Sequence, residues 1–201
     1  MEAPKAARDA ATYAPHDDPY SYPGGGCLRN RPGLRDPGLL EAFELEMSSL
    51  RAEEPLPLGR FGPAHYRAVH RHLFQDVYAW AGRYRTVRIA KEGNWFCFPE
   101  NIAVQMNALF AKVRASAFTA GADAESFVAA ATDFLAELNA IHPFREGNGR
   151  AQLVFFHLLA ARAGHPVRLE IIRRETFMPA MIASFRGDLK PLIGELRRLL
   201  G

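Results

Sequence analysis

The chain has 201 residues, 48% of them hydrophobic, which is enough apolar material for one sizeable core. Its 25 Lys and Arg against 22 Asp and Glu leave a net charge of +3, with no run of five or six like charges to mark a nucleic-acid tail. Two distant cysteines, Cys27 and Cys97, argue against a disulfide framework or a zinc cluster and fit a reducing cytoplasm, and no apolar stretch is long enough for a membrane span or arranged as a signal peptide.

In chain order, residues 1 to 36 are rich in Pro, Gly, Asp and Tyr and predict an extended arm, with Tyr20, Tyr22 and Leu28 as the side chains it can bury. Asp36 and Pro37 open a helix in which Leu39, Leu40, Phe43, Met47 and Leu50 recur at helical spacing. A second helix is predicted from Pro63 to about Tyr78, carrying Tyr66, Val69, His70, Leu73 and Val77, and closed by the glycine of "WAGRY". Residues 86 to 98, "TVRIAKEGNWFCF", predict a β-hairpin turning at Lys-Glu-Gly-Asn.

Helical patterning then returns in "ENIAVQMNALFAKVRAS" and in "DAESFVAAATDFLAELNAIH", where Phe127, Ala131, Phe134, Leu135 and Leu138 form one stripe. The run "NGRAQLVFFHLLAARAG" is apolar on nearly every side and predicts a central helix. Two more helices, roughly 175 to 185 and 189 to 200, complete an all-α bundle with one hairpin.

The chemistry collects at the seam "IHPFREGNGRAQL", residues 141 to 153. Pro143 forbids a regular helix through His142 and Phe144, while Gly147 and Gly149 permit unusual backbone geometry, so a loop joins two helices. Residues 148 to 150 open the second helix, and its free N–H groups and dipole make an anion site, with Arg150 adding a planar fork suited to phosphate. Glu146 beside such a site is explained by a magnesium ion shared with a diphosphate. His142 stands ready to take a proton from an incoming hydroxyl. A zinc site on His142 and Glu146 is the poorer reading, because Pro143 and Gly147 break the helix that would align them.

"HPFREGNGR" resembles the signature of the Fic family, His-x-Phe-x-Asp/Glu-Gly-Asn-Gly-Arg followed by a second arginine three places on. "YSYPGGGCLRN" and "FQDVYAWAGRYRTVRIAKEGNWFCFP" resemble the arm and flap of its toxin-type bacterial members. The resemblance covers about residues 18 to 200 and implies a Fic-type helical bundle over residues 37 to 201. It also implies transfer of AMP from ATP, with Mg2+, to a Ser, Thr or Tyr hydroxyl of a target protein. By resemblance, His142 is the general base, Glu146 holds the metal, Gly147, Asn148 and Gly149 cradle phosphates, and Arg150 grips a distal one. The flap residues Lys91, Glu92, Gly93, Asn94, Trp95 and Phe96 would dock the target.

Leu153 departs from the signature, standing where the second arginine is expected. The resemblance pairs that arginine with an inhibitory glutamate in a Ser/Thr-x-x-x-Glu-Gly/Asn helix. Here Ser49 to Glu53 is followed by Glu54, and Ser184 reaches Asp188, so a separate small antitoxin chain is expected instead. Leu153 leaves weakened transfer, a different nucleotide donor, or a pseudoenzyme that only binds a partner as open readings. DNA binding is disfavoured, since no basic recognition helix stands out.

Overall fold

The computed structural model describes residues 18–24, 26–91, 93–115 and 118–200. The expectations for residues 1–17 and for Glu92 lie outside these. Among the described residues there are seven α-helices and one two-stranded hairpin, as expected of an all-α bundle. Helix α1, Pro37–Glu53, starts where the Asp36 carboxylate accepts the Leu39 N–H at 2.9 Å and Pro37 takes the first helical position. Helix α2 spans Pro63–Phe74, β1 Ala90–Lys91, β2 Asn94–Trp95 and α3 Ile102–Ala115. Helix α4, Ala124–Ile141, is capped by Asp123, which accepts the Ser126 N–H at 2.9 Å. Helices α5 (Asn148–Ala163), α6 (Arg174–Phe185) and α7 (Lys190–Leu200) follow.

Helix α4 is the hub of the packing, touching α3, α5, α6 and α7, and α5 lies between it and α2. Phe155 of α5 meets Tyr66 of α2, Phe110 of α3 and Phe134 of α4 at ring-centroid distances of 5.3, 5.5 and 6.1 Å. Burying each such ring stabilises the fold by about 1.5–3 kcal/mol. The whole α4 stripe of Phe127, Ala131, Phe134, Leu135 and Leu138 is buried, as its spacing predicts. The apolar wrap of α5 is less complete, because His157 and Arg162 face solvent. No described helix is long and apolar enough to cross a membrane.

Three elements differ from expectation. Helix α2 ends at Phe74 rather than near Tyr78, because the turn beyond it is claimed from outside: the Val77 C=O accepts the Arg31 N–H at 2.8 Å and the Asp76 carboxylate accepts Arg51 Nε at 2.7 Å. The described part of the arm turns back on itself through a Ser21↔Leu28 bridge and puts Cys27 into the core, so it is not simply extended. The hairpin pairs Ala90↔Trp95 and Lys91↔Asn94, and the Phe96 N–H still donates to the Ile89 C=O at 3.2 Å. Its outer ends are parted by the Arg85 guanidinium, which takes the carbonyls of Val87 and Cys97 at 2.7 and 2.5 Å.

Candidate active site

The seam is a loop held in a conformation it would not choose alone. His142 caps α4 with φ 47° and ψ 64°, the left-handed region, and its N–H donates to the Leu138 C=O at 3.0 Å. A side chain there costs about 1–2 kcal/mol, so neighbouring contacts must hold it. Phe144 is fully buried, with its ring 3.7 Å from His70 and 5.4 Å from Tyr66. The Asn148 amide clamps the loop, accepting the Phe144 N–H and donating to the Phe144 C=O, both at 2.9 Å. His70 Nδ1 accepts the Gly82 N–H at 3.0 Å, so its Nε2–H donates to the Glu146 C=O at 2.9 Å. Burial pushes the His70 pKa down to about 3, which keeps this bridge neutral.

His142 itself is half-buried beneath the flap, where the Phe96 ring stacks on the imidazole at 3.9 Å. Its Nδ1 lies 3.3 Å from the Asn139 C=O and donates to it, leaving Nε2 as the lone-pair nitrogen. Burial, with the nearby charges of Arg85 and Lys91, pushes its pKa down to about 3. The imidazole is therefore neutral at physiological pH and able to accept a proton.

A cavity of about 370 Å³ opens beside it, lined by Lys91, Asn94, Glu146, Arg150, Leu153 and Arg174 among others. The α5 N-terminus faces this cavity through Gly147 and Gly149, and no side chain caps it. Its first-turn N–H groups and dipole form a site for an anion. Gly147 has φ +80°, and a Cβ there would lie 2.4 Å from the Phe74 ring. Gly147→Ala is expected to destabilise the chain by about 2–4 kcal/mol, through left-handed strain plus overpacking, as measured by urea denaturation.

Glu146 lines the cavity and turns Oε1 back to the Gly147 N–H at 2.8 Å. Asn148 keeps only its backbone N–H for a ligand, since both ends of its amide hold the loop. Arg150 lines the cavity but also reaches α1, where Nη2 donates to the Glu44 carboxylate and Nη1 to Ser48 Oγ at 3.0 Å. On the flap, Lys91, Asn94 and Phe96 line the cavity, Phe96 also stacks on His142, and Trp95 points outward at 52% exposure. Arg88 lies over the Trp95 and Phe98 rings at 4.4 and 4.1 Å.

Four supporting residues have no place in the motif: His70, Arg85, Glu44 and Asp18. Arg85 is 2% exposed and spans the loop and the flap, donating to His142 and Ile141 carbonyls at 2.8 and 3.2 Å besides those of Val87 and Cys97. Asp18 of the arm accepts Arg145 Nη2 at 2.8 Å in a buried ion pair. Glu44 had one sequence signal, because its spacing of four from Leu40 and from Ser48 puts it on the buried face of α1.

The sequence model of the Fic/DOC family matches residues 60–160. A probable protein adenylyltransferase of Sinorhizobium fredii, y4lH, is 50% identical over 185 residues, 92% of this chain and 96% of its own length. The chain belongs to the Fic/DOC family. Another relative, the probable protein adenylyltransferase Fic of Escherichia coli, is 38% identical over 87% of this chain and 88% of its own. Among solved Fic-type structures, BepC of Bartonella tribocorum with bound AMPPNP superposes with a TM-score of 0.82 at 26% identity, covering 92% of this chain and 97% of that one. A Bartonella quintana Fic domain with bound ADP gives 0.81 at 26% identity, covering 90% and 94%.

Proposed function

We propose that this Fic chain is a protein adenylyltransferase that moves AMP from ATP to a Ser, Thr or Tyr hydroxyl of a target protein. The observation that carries the reading is a neutral histidine beside an uncapped, glycine-flanked helix N-terminus in one cavity. The hydroxyl oxygen attacks the α-phosphorus of ATP and forms a phosphoester. The bond from that phosphorus to the bridging oxygen breaks, pyrophosphate leaves, and the hydroxyl proton passes to His142 Nε2. Charge developing on the phosphates faces the N–H groups of Asn148, Gly149 and Arg150.

Glu146 is the carboxylate that would hold Mg2+. The described residues contain no cluster of three His, Cys, Asp or Glu side chains fit to keep a metal by themselves. A single carboxylate beside a phosphate nest fits an ion that arrives with its nucleotide. When bound, Mg2+ neutralises phosphate charge. The flap would hold the target segment as an added strand, with Lys91, Gly93 and Asn94 at its tip. The setting is cytoplasmic, and a separate small antitoxin protein restrains the enzyme.

The test is incubation of the chain with a cell lysate and ATP labelled on either the α- or the γ-phosphate. Protein bands labelled from the α position only, and only with a divalent metal, are expected; γ-labelling or none would overturn the reading. The apolar Leu153 in the cavity favours, as a second reading, a donor with fewer phosphates or another base. Thermal shift against ATP, UTP, GTP and CDP-choline separates these. Supplying the missing contact is also informative: Leu153→Arg is expected to raise AMP transfer tenfold to a few hundredfold, from about 1.5–3 kcal/mol of phosphate bonding in the transition state. Activity that appears only in this variant would mark the natural chain as a binding protein.

A further inference from the structure

Glu44 lies on α1, outside the signature, yet its carboxylate is buried at 7% exposure and directed at the Arg150 guanidinium. Its Oε1 accepts from Arg150 Nη2, and its Oε2 accepts the Tyr78 hydroxyl. Arg150 Nη1 donates to Ser48 Oγ at 3.0 Å and to the Glu44 backbone C=O at 3.4 Å, while the guanidinium lies 4.8 Å from the Phe74 ring centroid. With a third of its side chain exposed, Arg150 still lines the cavity. Helix α1 thus engages both terminal nitrogens of the fork while Arg150 stays part of the cavity wall. Both Glu44 oxygens are engaged, so Glu44 is not a spare metal ligand.

We propose that Glu44, backed by Tyr78, is a positioning residue that sets the Arg150 fork for the phosphates beyond the first of a nucleoside di- or triphosphate. The inference rests on the reading that nucleotide phosphates seat at the α5 N-terminus. An arginine on a flexible stem loses rotamer freedom when it grips a ligand; one ordered in advance by a carboxylate, a hydroxyl and an aromatic face has already lost it. Such an effect grows with the number of phosphates Arg150 can reach. A monophosphate held by the helix N–H groups alone gains little from it.

Titration calorimetry of the full chain with MgATP and with AMP tests this in the wild type, Glu44→Ala, Glu44→Gln and Tyr78→Phe. Glu44→Ala is expected to weaken MgATP about tenfold and AMP less than twofold. Glu44→Gln, which keeps an oxygen for Nη2, recovers part of the loss and carries the same comparison should the alanine variant not fold. Tyr78→Phe gives a smaller loss, again confined to MgATP. Equal losses for ATP and AMP would overturn the proposal in favour of a structural role. Unchanged or tighter MgATP binding in both Glu44 variants would overturn it by making Glu44 irrelevant or a competitor for Arg150. A wild type that binds neither nucleotide would overturn the phosphate reading itself, and the inference with it.

Discussion

Arg85→Ala is expected to cost about 3–5 kcal/mol of stability, the range for removing a buried, fully bonded charge and leaving its partners unsatisfied. The guanidinium is the common partner of four carbonyls, those of Ile141 and His142 at the end of α4 and those of Val87 and Cys97 on the two sides of the hairpin. Among the described residues no carboxylate pairs with it, so its charge is balanced by peptide dipoles, including the negative end of α4. Burial pulls its pKa down to about 10, which still leaves it charged at neutral pH. Loss of the side chain strands carbonyls that water reaches poorly and leaves the flap tied to the α4 end and the loop only by the Cys97–Ala140 and residue 85–Pro143 backbone bonds and the Phe96–His142 stack. Urea denaturation should show a lower midpoint. Arg85→Lys should recover only part of it, because an ammonium cannot span four acceptors with a planar fork. A midpoint unchanged by the alanine substitution would mean that the carbonyls find water and the hub is dispensable.

His142→Ala is expected to lower AMP transfer by about 10²–10⁴-fold, the range for removing a general base. Folding should be kept or slightly weakened at neutral pH, because alanine keeps the left-handed strain and loses the stack on Phe96, while the neutral imidazole it replaces carries no titration cost there. His142→Gly should be more stable than His142→Ala, since glycine adopts φ 47° without a Cβ penalty, and equally inactive. This contrast separates the chemical role from the conformational one. Comparable α-phosphate labelling by wild type and both variants would remove His142 from the mechanism.

The parts of the site that could be read in the sequence are those whose chemistry is local. Pro143, Gly147 and Gly149 announce a loop and an open helix start, and the α4 stripe announces the face that carries the loop. The supports could not be read the same way, because each meets the loop from a remote stretch: Arg85 bonds His142 across 57 residues, His70 bonds Glu146 across 76, and Glu44 meets Arg150 across 106. In the sequence, Arg85 is one of several arginines near the flap, and His70 is one more residue on a helix face. Only packing brings them to the loop. The hairpin is shorter than its β-prone runs suggest, because beyond Ile89 and Phe96 the chain bonds elsewhere: the Cys97 N–H donates to the Ala140 C=O and the Val87 and Cys97 carbonyls accept from Arg85.

The buried pair of Asp18 and Arg145 joins residues 127 apart in the chain. During synthesis Asp18 emerges first, and at ordinary elongation rates its partner follows on the order of ten seconds later. Until then the arm lacks this ion pair and is held only by its contacts with earlier-made residues such as Val77, Trp80 and Thr86. The loop from His142 to Arg150 can therefore complete its buried ion pair only after most of the chain has been made.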